Sequence, residues 1–495
     1  MLRGPSLNPG WFGHPATTTM YVLALVNAAV FLVGKMLGWF TSVKDFASAA
    51  FVDPSYIILP GRVVMAIFGS CSVWLTHRLA RELFGKGAWI SAIFVAFSPV
   101  VIWWGQVIRS DVMATVFLQL SLLAVLRYYR APSRRDFMVA GGWLGVAVAT
   151  KWPFALGALS MAAAIIGHRK QGEAYLVSLG KLAAKLAAFG LLVTGALLLC
   201  SPYIALAHDT VLRNLSGESQ LHHLGATGGT AWQNAWWYVS GPLSRSFGLA
   251  GLVLAVAGCF LMQSVKEARI IINPLLLSFA LVLCSQNLVW ERWVLPLLPF
   301  LAMSAGLAIT RLSDFLEDKY PSSRKIALPT VVLLSIVPLI WADIGQARAR
   351  MNDTRQRASA WAIAHIPAGS SVMIEHFGFD LYSRPWRVLF PLGNLGCVDA
   401  KSVLKGQIAY SAIEDAREGK SNVDYGTMPN RLAQTCAADY AILTQYDRYV
   451  SERGEFPQEY LAYQNILKKS EGEIVFRPFD SHSSGPVVRI VKMRH

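Results

Sequence analysis

Charge is what this sequence has least of. Only 15% of its 495 residues are Asp, Glu, Lys or Arg, while 54% are hydrophobic. A soluble chain of this length carries about a quarter charged residues. The imbalance excludes a soluble globular protein and indicates a chain that crosses a membrane many times. Cysteine is also scarce, at six residues, with no CxxC and no His/Cys ligand spacing, so no metal site is expected. Cys71, Cys200, Cys259 and Cys284 lie in apolar segments, where a small buried thiol is ordinary. P-loop, GxGxxG and HExxH patterns are missing, as is any recognisable Ser–His–Asp pattern. ATP, NAD and zinc hydrolysis therefore have no support, and no cofactor is expected. The residues before Met20 lack the apolar stretch of a signal peptide. There is no internal repeat and no low-complexity segment.

The net charge of +15 invites a nucleic-acid reading. The basic residues, however, sit in short loops between apolar runs, with no basic stripe on a soluble domain, so nucleic acid is not a partner. Ten apolar segments are predicted: Val63–Phe84, Ala88–Gly105, Val112–Leu126, Phe137–Thr150, Phe154–Ile166, Leu186–Ala207, Phe247–Met262, Ile270–Ser285, Trp293–Thr310 and Ile326–Trp341. Several fall short of the ~20 residues of a straight span, so they extend into their flanks or are broken helices packed on neighbours. An eleventh run, Met20–Phe40, is interrupted by Lys35 and either spans or lies in the interface.

Every second loop is basic. Arg78, Arg81 and Lys86 follow the first segment; Arg127, Arg130, Arg134 and Arg135 the third; His168, Arg169, Lys170, Lys181 and Lys185 the fifth. Lys266 and Arg269 follow the seventh, and Arg311, Lys319, Arg324 and Lys325 the ninth. The positive-inside rule makes these five loops cytoplasmic. The alternate loops, which hold Arg109 and Asp111, Lys151, residues 208–246, and Glu291 and Arg292, are then extracytoplasmic. The region after Trp341 falls on that side too.

From about Asp343 charges become frequent and apolar runs shorten. Ser371–Glu375, Trp386–Phe390, Tyr440–Thr444, Ile474–Arg477 and Val487–Lys492 are β-branched or aromatic-rich and are predicted strands. Asp353–His365 is a predicted helix starting at Asp353. The expected organisation is a polytopic α-helical membrane domain over 1–345 and a soluble α/β domain, outside the cytoplasm, over 346–495. Cys397 and Cys436 form a disulfide there or remain two free thiols.

Few residues could carry chemistry. Asp111 is either a carboxylate at the outer mouth of a cavity, acting as a base, or a helix N-cap ahead of an apolar run. Lys151, in Thr150-Lys151-Trp152-Pro153, either binds a phosphate at the membrane surface or snorkels from a helix end. Arg292 is suited to hold a phosphate bidentately, or pairs with an acid such as Glu291 to tie loops together. His222 and His223 do not share a helix face, so phosphate or sugar binding suits them better than a metal, against an ordinary Gly-rich surface loop. Arg109 and His14 complete the candidates for binding.

At these residues the chain resembles the bacterial members of the GT-C superfamily related to protein O-mannosyltransferases and to the aminoarabinose transferase of lipid A. The resemblance rests on Asn8-Pro9-Gly10-Trp11-Phe12-Gly13-His14-Pro15, on Ser98-Pro99 through Arg109-Ser110-Asp111, on Ala149-Thr150-Lys151-Trp152, and on Glu291-Arg292-Trp293-Val294-Leu295-Pro296-Leu297-Leu298-Pro299-Phe300. Ser201-Pro202-Tyr203 and His222-His223-Leu224-Gly225 also fit. It covers about Asn8 to Thr310. It implies a multi-pass enzyme of the bacterial cytoplasmic membrane, working on the cell envelope. Such an enzyme takes a sugar from a polyprenyl-phosphate donor and transfers it to an extracytoplasmic lipid, glycan or protein acceptor by inverting glycosyl transfer. Asp111 falls on the family's second external-loop acid, and Lys151 and Arg292 fall where bases suit the lipid phosphate. The family begins with a further helix and an acid ahead of the Asn-Pro stretch. Here Met1 stands seven residues before Asn8, and Asp45 and Asp53 come too late to match. Two expectations follow: a start assigned too far downstream, or a degenerate relative. The match also favours the interfacial reading of Met20–Phe40. A transporter or lipid flippase, or a non-catalytic scaffold of the same fold, are the alternatives. Transporter sites lie near the bilayer midplane, often within inverted repeats, whereas these ionisable groups map to one edge.

Overall fold

A computed structural model describes residues 7–13, 16–167, 175–218, 221–320, 324–375, 381–404, 424–479 and 483–494. The chain divides into two compact units. One comprises Met1–Gly34, Ile57–Glu218 and Gly228–Asp343, and the other Lys35–Tyr56, Ser219–Thr227 and Ile344–His495. The break after Asp343 lies next to the composition change. The two short segments that join the C-terminal unit have no compositional signature.

The first unit is helical. Its opening helices are α1 (Thr17–Met36), then, after α2 (Val43–Val52) of the other unit, α3 (Ser55–Phe84), α4 (Ala88–Ala96), α5 (Pro99–Gly105), α6 (Ser110–Arg130), α7 (Arg134–Thr150), α8 (Ala158–Gly167) and α9 (Tyr175–Cys200). There follow α10 (Tyr203–Leu206), α11 (His208–Glu218), α12 (Ala231–Tyr238), α13 (Ser244–Leu261), α14 (Asn273–Ser285), α15 (Leu298–Lys319) and α16 (Arg324–Met351). Among the described residues, seven helical stretches are long and apolar enough to cross a membrane, or eight if the bent pair α4–α5 is one span. The protein is a multi-span membrane protein.

The predicted segment Ala88–Gly105 is that bent pair, with a bend of 59°. Pro99 explains it: proline lacks an N–H and excludes the helical conformation from the residue before it. Around Lys151 the two predicted segments are α7 and a short apolar stretch, Trp152–Gly167, that opens with a 3-10 turn. The run at Met20–Phe40 is a continuous 20-residue helix, α1, which meets the length and composition of a span. That favours crossing over the interfacial placement expected from the resemblance.

Helix α6 is the centre. It is apolar all round and buried on nearly every side, which marks an inner helix of a bundle. It packs on α7 and α8, α7 packs on α9, and α13 packs on α15, which packs on α4. The ends of this bundle differ. At one, Arg130 from the last turn of α6 pairs with Glu82 of α3 at 2.7 Å and with Glu267 at 3.5 Å, and Lys86 pairs with Asp314 of α15 at 3.7 Å. The basic loops between α3 and α4, α6 and α7, and α13 and α14 thus meet at one end. Asp111 begins α6 at the other, about 30 Å away along a 21-residue helix.

The second unit holds a six-stranded sheet in the order β3-β2-β1-β4-β6-β5, with β1 (Ser371–Ile374), β2 (Arg387–Pro391), β3 (Cys397–Asp399), β4 (Tyr440–Leu443), β5 (Ser470–Phe476) and β6 (Val488–Met493). β1 runs parallel to β2 and β4, and the remaining pairs are antiparallel. Alternation in the strands feeds two cores. Val372, Ile374, Val388 and Ile442 pack with Ala358 and Ala362 of α17 (Thr354–His365). Met373, Leu389, Ala441 and Leu443 pack with Tyr463 and Ile466 of the helix Pro457–Lys468. Successive side chains point to opposite faces, so the inner strands β1, β2, β4 and β6, covered on both sides, are buried along most of their length. Asp353 caps α17, accepting from the Arg355 N–H at 2.9 Å. Cys397 and Cys436 are joined by a disulfide.

Candidate functional site

Four pieces of chain meet at the start of α6. Arg109 is the residue before α6, in extended conformation, and Asp111 lies in the first turn. Asp111 is not the N-cap; its carboxylate instead accepts a hydrogen bond from Lys151 Nζ, and the two form an ion pair. Lys151 stands where α7 ends, in extended conformation that the following Pro153 terminates as a 3-10 turn. Both side chains are buried, Asp111 at 3% and Lys151 at 7% exposure. Lys151 is therefore not a snorkelling residue, because a lysine reaching for the interface keeps its head in water.

The N-terminal stretch is laced to this corner. Trp152 Nε1 donates to the Phe12 carbonyl at 3.2 Å, and the Ala16 N–H donates to the Thr150 carbonyl at 3.1 Å. Thr17 and Ser201 hydroxyls bond at 2.8 Å, and the Phe12 N–H donates to Asn214 Oδ1 at 2.7 Å. His14 lies outside the described residues.

Arg292 supplies the third cation. Its guanidinium lies 4.1 Å from the ring centre of Trp290 and 6.0 Å from that of Trp104, two aromatic faces that attract it. Arg292 and Arg109 both act on the Lys151 ammonium as like charges. Two further cations thus act on the buried pair, leaving this corner with more positive than negative charge, which suits an anionic group. Glu291 does not pair with its neighbour Arg292 but with Arg245 of α13, at 2.6 Å. Burial pushes the Glu291 carboxyl up, and Arg245 pulls it back only in part. No group of His, Cys, Asp and Glu that could hold a metal ion occurs among the described residues.

His222 and His223 are sequence candidates that form part of the other unit. Their segment belongs to the C-terminal unit, where Leu224 is buried in the core beside Met373 and Tyr463. His222 pairs with Glu455 at 2.9 Å, and His223 Nδ1 bonds the Leu224 carbonyl at 3.0 Å. One apolar residue between polar neighbours decides where the loop docks.

Residues 57–206 match the family model of the dolichyl-phosphate-mannose-protein mannosyltransferases. That stretch contains Arg109, Asp111 and Lys151. No curated protein matches the chain. Among solved structures, the chain is similar to ArnT from Cupriavidus metallidurans in the apo state, with 12% identity and a TM-score of 0.52, over 97% of this chain and 88% of that one. The fold is of the GT-C type. Other GT-C-type structures align more loosely. ArnT from the same organism bound to undecaprenyl phosphate is 12% identical with a TM-score of 0.48, over 99% and 93% of the two chains. The Archaeoglobus fulgidus oligosaccharyltransferase in complex with zinc and sulfate is 13% identical with a TM-score of 0.46, over 95% and 65%.

Within this GT-C-type fold, sequence reasoning missed the aromatic and polar groups that hold Arg292. Trp104 and Trp290 are ordinary interfacial tryptophans by composition, and Arg245 lies 46 residues (245 to 291) from its partner. The Trp-rich run Trp232-Gln233-Asn234-Ala235-Trp236-Trp237-Tyr238 was the available signal, since two polar groups recur there four residues apart on one face.

Proposed function

We propose that the protein is a membrane glycosyltransferase that moves a sugar from a polyprenyl-phosphate carrier to an extracytoplasmic acceptor, with inversion at the anomeric carbon. The observation that carries this reading is the buried Asp111–Lys151 ion pair, on whose ammonium Arg109 and Arg292 act as like charges. The lipid-phosphate sugar named by the family model over 57–206 supports the donor class. The gathering of basic loops at the opposite end of the bundle supports a site facing away from the cytoplasm.

Each group then has a task. An acceptor hydroxyl or amine attacks the anomeric carbon, and the bond from that carbon to the phosphate oxygen breaks. The proton released by the acceptor passes to the Asp111 carboxylate. The polyprenyl phosphate leaves with its charge held by Arg292, Arg109 and Lys151. An ammonium has three donors, so Lys151 orients Asp111 with one and keeps two for the phosphate. Fixed cations in a water-poor site stabilise the charge as it develops. The acceptor would be a lipid, glycan or protein on that side.

Membranes carrying the protein, incubated with radiolabelled polyprenyl-phosphate sugars, test the reading. Transfer to an acceptor is expected, and Asp111→Asn should abolish it when activity is expressed per amount of folded protein. Vectorial movement of the labelled lipid without transfer, or full activity of the Asn variant, would overturn it.

A further inference from the structure

The loop that carries Glu291 and Arg292 is built by contacts some fifty residues upstream. Asn234 and Tyr238 occupy one face of α12, which is held at its start by a capping box of Thr230 and Gln233. Both are buried, at 2% and 4% exposure, while Trp232 and Trp236 of the same helix are exposed. Asn234 Nδ2 donates to the Cys284 carbonyl at 3.0 Å and the Gln286 carbonyl at 2.8 Å. These are terminal carbonyls of α14, which otherwise lack an intrahelical partner. Asn234 Oδ1 accepts from the Gly229 N–H at 2.8 Å, and the Gly228 N–H donates to the Asn287 carbonyl at 2.7 Å. A Cβ at Gly228 would stand 2.8 Å from that carbonyl oxygen and 2.9 Å from Asn234 Oδ1, so the turn has room only for glycine. One helical turn further on, the Tyr238 hydroxyl accepts from the Trp290 N–H at 3.4 Å. Trp290 is the ring on which Arg292 stacks.

We propose that Asn234, seconded by Tyr238, is a positioning residue for recognition of the donor's phosphate: it closes the α14 terminus and thereby sets the loop 286–292, so that Arg292 is held against the Trp290 ring. The proposal rests on the donor-phosphate reading above. An amide suits the task because it donates and accepts at once. An aspartate would lose both donors, and an aliphatic residue all three bonds. A buried amide with three partners has one allowed orientation, and it passes that orientation to the loop.

Two measurements on the full chain in detergent separate this proposal from the reading beneath it. The first needs no ligand: the rate at which phenylglyoxal modifies Arg292, followed by peptide mass mapping, in wild type, Asn234→Ala and Gly228→Ala. Faster modification of Arg292 in both variants, with other arginines unchanged, supports positioning, and an unchanged Arg292 rate overturns it. The second is titration with a polyprenyl monophosphate against the corresponding polyprenol. Asn234→Ala should weaken monophosphate binding about tenfold, the loss of one charge-assisted hydrogen bond, and leave polyprenol binding unaltered. Added to Arg292→Ala, it should cost nothing more, because it acts through that arginine. Additive losses overturn the proposal. A wild-type protein that binds both lipids equally overturns the phosphate reading, while the modification rates still decide whether Asn234 sets the loop.

Discussion

Lys151 donates to the Asp111 carboxylate across 40 residues of chain, and both side chains are almost wholly buried. The pair joins the end of α7 to the start of α6. Removing one partner leaves an uncompensated buried charge, which typically costs about 3–5 kcal/mol. Lys151→Met should therefore lower resistance to unfolding in detergent by about that amount, and the double variant Asp111→Asn/Lys151→Met should recover most of it. Equal stability of the two would show that the pair is not buried together.

The Arg130–Glu82 pair at the other end of the bundle sets the contrast. Its side chains are 37% and 38% exposed. An ion pair so open to solvent contributes about 0–1 kcal/mol. Glu82→Gln should leave the unfolding midpoint almost unchanged, and the small difference should vanish in high salt.

Helix α13 meets α15 through Gly258. A Cβ there would overlap the Ser304 carbonyl oxygen, a backbone atom that cannot swing aside. Gly258→Ala should destabilise the bundle by about 1–3 kcal/mol, the cost of forcing atoms into a packed interior. Gly190 in α9 has open space where its Cβ would be. Gly190→Ala should be neutral or gain about 0.5–1 kcal/mol from helix propensity. Parallel unfolding curves check both.

The Cys397–Cys436 disulfide closes a sequence separation of 39 residues. Constraining a loop of that length in the unfolded chain stabilises by about 2–4 kcal/mol. Cys397→Ser with Cys436→Ser should raise hydrogen exchange across β2 and β3 accordingly. In intact cells, both thiols should resist alkylation until reductant is added, as an oxidising compartment requires. Alkylation without reductant would place the C-terminal unit on the cytoplasmic side.

Glu375 follows β1 with its carboxylate buried. It accepts from the Tyr463 hydroxyl and from the Thr444 and Gln445 N–H groups at 2.7 and 3.2 Å. Burial pushes its carboxyl up, and these bonds pull it back only in part. The folded value thus exceeds the unfolded one, so the folded unit holds the proton more tightly. The stability this gives is complete below the ordinary carboxylate range and is lost as pH rises through the raised value. Protection of the Thr444 and Gln445 amides should fall across that window relative to Glu375→Gln at each pH. Parallel pH curves for the two proteins would remove the effect.

Much of the frame was legible. The strands predicted at Ser371, Trp386, Tyr440, Ile474 and Val487 match β1, β2, β4, β5 and β6 within a few residues, because β-branched runs bounded by turns leave a local trace. Asp353 announced α17 because a cap acts on its own next turn. β3 was not legible: three residues forming an edge strand, paired antiparallel to β2, carry no periodicity. Nor was the helix Pro457–Lys468, whose buried face mixes Tyr460 and Tyr463 with Ile466 and Leu467.

What the sequence determined by itself is whatever depends on neighbours in the chain or on bulk composition. That covers the crossing of a membrane, the alternation of basic loops, the caps, the strands and the short set of ionisable residues able to carry chemistry. What only the tertiary structure decided is pairing across distance. It gave Lys151 to Asp111, Arg245 to Glu291 and Asn234 to the end of α14, and it took His222 and His223 into the C-terminal unit through Leu224. Charge and polarity can be counted along a chain, but a buried polar group is satisfied by whichever partner packing brings within 3 Å, and that partner leaves no mark at its own position.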